Sequence, residues 1–104
     1  MTDLHLSADP DRAADVAAVL KALGHPVRLR ILSVLASVEE AHVTGLMGCL
    51  ELPQAAVSQQ LRLLRTQGLV GVRRDAGFAW YRLAMDELRP LIAAAEKLPA
   101  RRRG

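Results

Sequence analysis

Few residues in this chain carry the groups that enzymes use. Three histidines (His5, His25, His42) and one cysteine, Cys49, are scattered through the first half. No Gly-rich phosphate loop, Cys–His pair, paired active-site carboxylates or complete metal cluster is present. Glu39 and Glu40 are adjacent rather than facing, as in a solvated loop. Catalysis is therefore not expected. The abundant chemistry is arginine, which makes up twelve of the fourteen basic residues. Its planar fork suits bidentate contact with phosphates or base edges better than lysine does. The distribution is uneven: residues 1–61 carry four bases against seven acids, and residues 62–104 carry ten bases against four acids. A basic second half on a small chain points to a polyanion, nucleic acid first.

The segment that could read such a polyanion is QAAVSQQLRLLRT. At about 100° per residue, Val57, Leu61 and Leu64 share one stripe, which should face a core. Ala55, Ser58, Gln59 and Arg62 fall on the opposite arc. Small side chains permit close approach to a groove, Ser and Gln bond base edges, and Arg takes guanine or phosphate. A stripe alone also describes an ordinary surface helix. The combination carries more weight: a carboxylate-free face, a short preceding helix and a following arginine-bearing hairpin.

The elements that must position this face can be read from period and punctuation. Asp9-Pro10 reads as an N-cap and first helical residue. Val16, Val19, Leu20 and Leu23 follow with amphipathic spacing, and Gly24 closes the helix. His25-Pro26 restarts a helix, too apolar for the surface, through VRLRILSVLAS. Residues 37–43 form a connection containing a residue or two of strand. Thr44 is the expected N-cap of a short helix, 45–50. Glu51-Leu52-Pro53 is a tight turn, and a helix from Gln54 to Gln67 is stopped by Gly68. Two helices joined by such a turn match a helix-turn-helix.

Alternation then takes over. LVGVRR and FAWYRL, around Asp75-Ala76-Gly77, read as a β-hairpin. Phe78 and Trp80 lie on one face, with Tyr81 and Leu83 near or on the other. Arg73, Arg74 and Gly77 are expected at the tip, suited to a DNA backbone or minor groove. Arg82 follows on the return strand. The three aromatics are expected to pack the hairpin base. A last helix spans 86–98, its true start shifted toward Arg89 by Pro90.

At 104 residues the chain is one domain: a flexible start (1–8), a folded unit (9–98) and a disordered basic tail (99–104). The start lacks a secretory pattern, and no stretch approaches the roughly 20 apolar residues of a membrane span. One cysteine cannot form an internal disulfide, and a reducing cytoplasm is the simplest compartment.

LKALGHPVRLRILSVL, LPQAAVSQQLRLLRTQGLV and RRDAGFAWYRL resemble, in order and spacing, three signatures of ArsR/SmtB-type repressors across about residues 16–88. The resemblance implies an α+β, mainly α, winged helix-turn-helix of about five helices and a two-stranded wing. It implies a homodimer through the first and last helices, binding a palindromic double-stranded operator and repressing transcription. The groove-facing positions then fall on Gln54, Ala55, Ser58 and Gln59. The dimer interface falls on Val16, Val19, Leu20, Leu23, Leu88, Leu91, Ile92 and Leu98.

The family's metal sites are tested residue by residue. A Cys-x-Cys pair before the third helix is matched here by His42 and Thr44, so that site is not intact. His42 with His5 would be an incomplete transition-metal set. No histidine follows His42, which removes a second family site. Cys49 is expected to be a small buried hydrophobe. The reading favours no metal cofactor and leaves the inducer unassigned, with abundance or a partner protein as the route of regulation. The alternatives are a Ni- or Zn-responsive regulator using His42 and His5, and a winged-helix module that binds a protein instead of DNA.

Overall fold

A computed structural model describes residues 5–99 and 101. The order is α1 (Pro10–Leu23), α2 (Pro26–Ser37), α3 (Val43–Leu50), α4 (Gln54–Thr66), β1 (Val70–Asp75), β2 (Phe78–Leu83) and α5 (Leu88–Glu96). This is the expected set of five helices and a hairpin. Residues 5–8 are more ordered than expected, since Leu6–Ala8 form one 3-10 turn ahead of α1. The basic tail, apart from Pro99 and Arg101, lies outside the described residues, as do residues 1–4.

The core is built on α2. Its Ile31, Leu32 and Leu35 are fully buried, with Leu46 of α3, Val57, Leu61 and Leu64 of α4, and Ile92 of α5. Helices α1, α3, α4 and α5 all pack on α2. Leu23 of α1 and Leu88 and Ile92 of α5, expected on a dimer interface, are buried in this single-chain core. They face inward because α2 is apolar enough to cover them. The exposed apolar positions nearby are Leu20 (49%) and Leu98 (73%).

Local chemistry sets the boundaries. Asp9 caps α1 by accepting from the Arg12 amide at 3.0 Å. His25 caps α2, its Nδ1 accepting from the amides of Val27 and Arg28. His42, not Thr44, caps α3: Nδ1 accepts from the Gly45 amide at 3.2 Å. The helix starts two residues earlier than expected because Ala41 exchanges two backbone hydrogen bonds with Tyr81, leaving the chain to turn at His42. Pro90 is the third residue of α5, inside the first turn, where its missing N–H costs nothing.

His42 also supports the wing, meeting Trp80 edge-on at 5.0 Å between ring centroids. We expect His42→Ala to lower stability by about 1–2 kcal/mol, combining the lost cap and ring contact. His42→Asn, which keeps a capping acceptor, should recover about half, read as the urea midpoint.

The strands pair antiparallel from Val70↔Leu83 to Asp75↔Phe78. Alternation puts Val70, Val72, Tyr81 and Leu83 on one face and Arg73, Trp80 and Arg82 on the other. The connecting residues Ala76 (φ 51°) and Gly77 (φ 84°) are both left-handed, the signature of a type I′ turn. Glycine suits this conformation and alanine does not. Ala76→Asn, which tolerates it, is expected to stabilise by about 1 kcal/mol, raising the thermal midpoint by about 4–8 °C.

Candidate nucleic-acid interface

The helix-turn-helix is α3, the turn Glu51–Pro53 and α4. Glu51 sits at φ 55°, and its left-handed conformation reverses the chain within three residues. Pro53 then starts α4 and offers no side-chain cap, so the positive end of the helix is left open. Val57, Leu61 and Leu64 are fully buried. That rotation turns Ala55, Gln59 and Arg62 outward into solvent, with Ser58 half-buried beside them and Gln54 exposed at the first position of the helix. No carboxylate occurs from Gln54 to Gln67.

Arg65 belongs with this surface. It is exposed and lies seven residues after Ser58, hence on the same flank of the helix. That i, i+7 relation was available in the sequence.

Two groups of arginines stand out among the described residues. Three close helix C-termini by donating to carbonyls that lack a helical partner. Arg28 Nε donates to the Ala22 carbonyl of α1 at 2.7 Å. Arg30 Nη2 donates to Leu50 of α3 at 2.8 Å. Arg89 Nη1 donates to Ala36 of α2 at 2.6 Å. By contrast, the side chains of Arg62, Arg65, Arg74 and Arg82 are exposed and make no hydrogen bond or ion pair among the described residues, although the charge of Arg82 reaches the Glu40 carboxylate. These are the groups available to a polyanion.

The wing departs from expectation in two places. Arg73 is not at the tip, which is Ala76-Gly77. Its side chain is held by Glu40 and Asp75, so Glu40 is not the solvated loop residue expected. The bonded Arg73 guanidinium holds the Glu40 carboxyl below the usual carboxylate range, and the same bonds raise Arg73. A lowered carboxylate gives its stabilising contribution above its unfolded pKa and loses it as pH falls through the folded one. The pair is therefore intact at neutral pH. Phe78 does not pack the hairpin base: it is 58% exposed beside the tip, while Trp80 and Tyr81 are half-buried as expected.

One nitrogen of His42 is committed to the Gly45 amide, and its ring lies against Trp80. His5 precedes the 3-10 turn at the other end of the chain. Among the described residues no group of three or more His, Cys, Asp or Glu could hold an ion. Cys49 is exposed rather than buried, because the inward stripe of α3 is filled by Leu46 and Leu50. No described helix is long and apolar enough to cross a membrane.

Residues 25–72 match the family described as "Bacterial regulatory protein, arsR family". The chain is 42% identical over 92 residues to the biofilm growth-associated repressor of Agrobacterium fabrum, covering 88% of this chain and 78% of that one. It is 35% identical over 95 residues to the transcriptional activator HlyU of Vibrio cholerae, covering 91% and 87%. The crystal structure of the transcriptional repressor BigR from Xylella fastidiosa superposes with a TM-score of 0.81 at 32% identity, covering 93% of this chain and 100% of that one. These relatives are named as transcriptional regulators, and the BigR structure has the fold described above. The chain belongs to the arsR family of bacterial regulatory proteins and is a winged helix-turn-helix, DNA-binding transcriptional regulator.

Proposed function

We propose that the protein represses transcription by occupying a palindromic operator as a homodimer. Helix α4 enters the major groove, with Gln54, Ala55, Ser58 and Gln59 at base edges and Arg62 on guanine or phosphate. The wing lies along the backbone or the adjacent minor groove, with Arg74 and Gly77 nearest the DNA. The observation that carries this reading is the outer face of α4: polar, carboxylate-free and exposed over a fully buried stripe. A partner-binding module would show acidic or apolar residues there.

The dimer forms through α1 and α5. Their apolar surface consists of the exposed Leu20 and Leu98 and the half-buried Val16, Val19 and Leu91. Two half-sites multiply the modest affinity of one module. Repression is favoured over activation because the Agrobacterium fabrum relative and the BigR structure are named repressors. The activator HlyU makes the sign a point to measure in a promoter–reporter fusion.

The four exposed arginines of α4 and the wing give eight in the dimer. A protein making 6–10 phosphate contacts loses roughly 10³–10⁵ in affinity between 50 and 200 mM salt. Fluorescence anisotropy on the DNA upstream of the coding region is expected to show a loss in this range, saturating at two chains per duplex. Salt-insensitive or absent binding overturns the reading.

A further inference from the structure

Arg73 is one of the two adjacent arginines that β1 presents, yet each of its three guanidinium nitrogens already donates a hydrogen bond. Nε donates to Glu40 Oε2 at 3.0 Å, and Nη2 donates to Glu40 Oε1 at 2.8 Å, a two-pronged pair. Nη1 donates to Asp75 Oδ2 at 3.2 Å. Glu40 is followed by Ala41, which is bridged to Tyr81 of β2. Next comes His42, whose ring meets Trp80, the residue directly opposite Arg73. Three consecutive residues thus grip the wing by three different means: an ion pair, backbone hydrogen bonds and a ring contact. The last of the three is also the N-cap of α3.

An exposed ion pair adds little to stability. A fork-to-fork pair does fix direction, because both prongs must align. The two carboxylates also neutralise this part of the wing, which weakens its attraction for phosphate. Arg74 and Arg82 are the wing's arginines outside this ion pair, with Arg82 near enough to Glu40 to help lower its carboxyl.

We propose that Arg73 and Glu40 form a clasp that sets the angle of the wing against the reading helices, with Arg73 a positioning residue and Arg74 and Arg82 the wing's phosphate contacts. This rests on the DNA-binding reading above. In the bound state Arg73 stays on Glu40. Its contribution to affinity comes from where it holds Arg74 and Arg82.

The test is anisotropy of a labelled duplex of about 30 base pairs and scrambled sequence, long enough for two half-sites, over a salt series. Arg73→Gln and Glu40→Gln are each expected to weaken binding about fivefold with the salt slope unchanged. The exchange Glu40→Arg with Arg73→Glu should recover most of that loss. Arg74→Gln should instead reduce the slope by about 0.9 per protomer. Trp80 is the single tryptophan, and its emission should shift in both single variants and return in the exchange. Thermal melts confirm that each variant is folded. The proposal is overturned if Arg73→Gln lowers the slope as Arg74→Gln does, if Glu40→Gln tightens binding, or if the exchange binds worse than either single variant. Those outcomes make Arg73 a phosphate contact that Glu40 restrains. A wild-type protein that fails to bind any duplex overturns the DNA reading itself, which is a separate result.

Discussion

Gln59→Glu is expected to lower operator affinity by a little under a thousandfold while leaving the fold intact. The substitution is isosteric, and Gln59 is exposed on the outer arc of α4, so no packing changes. It removes the amide donor and puts a negative charge into a groove lined by phosphates. One lost base contact costs about 1–3 kcal/mol. At about 2 kcal/mol per half-site, a symmetric dimer loses about 4 kcal/mol, close to three powers of ten. Gln67→Glu is the matched control. It makes the same charge change at the exposed C-cap of α4, away from the reading arc, and should produce only the small, salt-screened loss of a more acidic chain. Competition against scrambled duplex separates the two effects, since Gln59→Glu should also compress the ratio of operator to scrambled binding. Equal losses for the two variants would mean that α4 is not the helix in the groove.

How much of this interface could be read in advance depends on sequence distance. The buried stripe Val57, Leu61, Leu64 is a local consequence of helical period, and the hairpin is a local consequence of alternation around Asp75-Ala76-Gly77. Both are found as read. The Glu40–Arg73 pair joins residues 33 apart and the Arg89 contact with Ala36 spans 53. No local rule assigns such partners, because any exposed guanidinium is chemically equivalent until the chain is folded. Leu23, Leu88 and Ile92 were misplaced for a related reason: a side chain that packs on its own core and one that packs on a second copy are equally apolar. Threonine is the commoner capping residue, yet His42 caps α3 because the bridge from Ala41 to Tyr81 of β2 fixes where that helix begins.

The arginine partition changes what net charge means here. The formal charge of +3 is a poor guide to the DNA-facing surface, since Arg28, Arg30 and Arg89 are occupied in closing helices and Arg73 in holding the wing. Of the arginines that remain, Arg62 and Arg65 lie on α4 and Arg74 and Arg82 on the hairpin. A modest total charge is thus compatible with a concentrated field at one surface, which is the property that steers DNA association.

That surface exists only if α4 is seated correctly, and Leu61→Ala tests the seating. Leu61 is fully buried in the middle of the helix. Deleting its isobutyl group removes burial and leaves a cavity between α4 and α2, costing about 2–5 kcal/mol. Against a total stability of about 5–15 kcal/mol, a loss near 3 kcal/mol should lower the thermal midpoint by about 12–24 °C. Leu63, two residues along the same helix, is 41% exposed. Leu63→Ala has identical chemistry and nearly the same helix propensity cost, yet should stay within about 0.5 kcal/mol. The comparison must be made at one protein concentration, because association of two chains makes the midpoint depend on it. Below the transition, where Leu61→Ala is still folded, its DNA affinity should also fall, since a helix that settles into a cavity carries Ser58 and Arg62 with it. If the two leucines cost the same, α4 is rotated from the orientation described, and the residues assigned to the groove are the wrong ones.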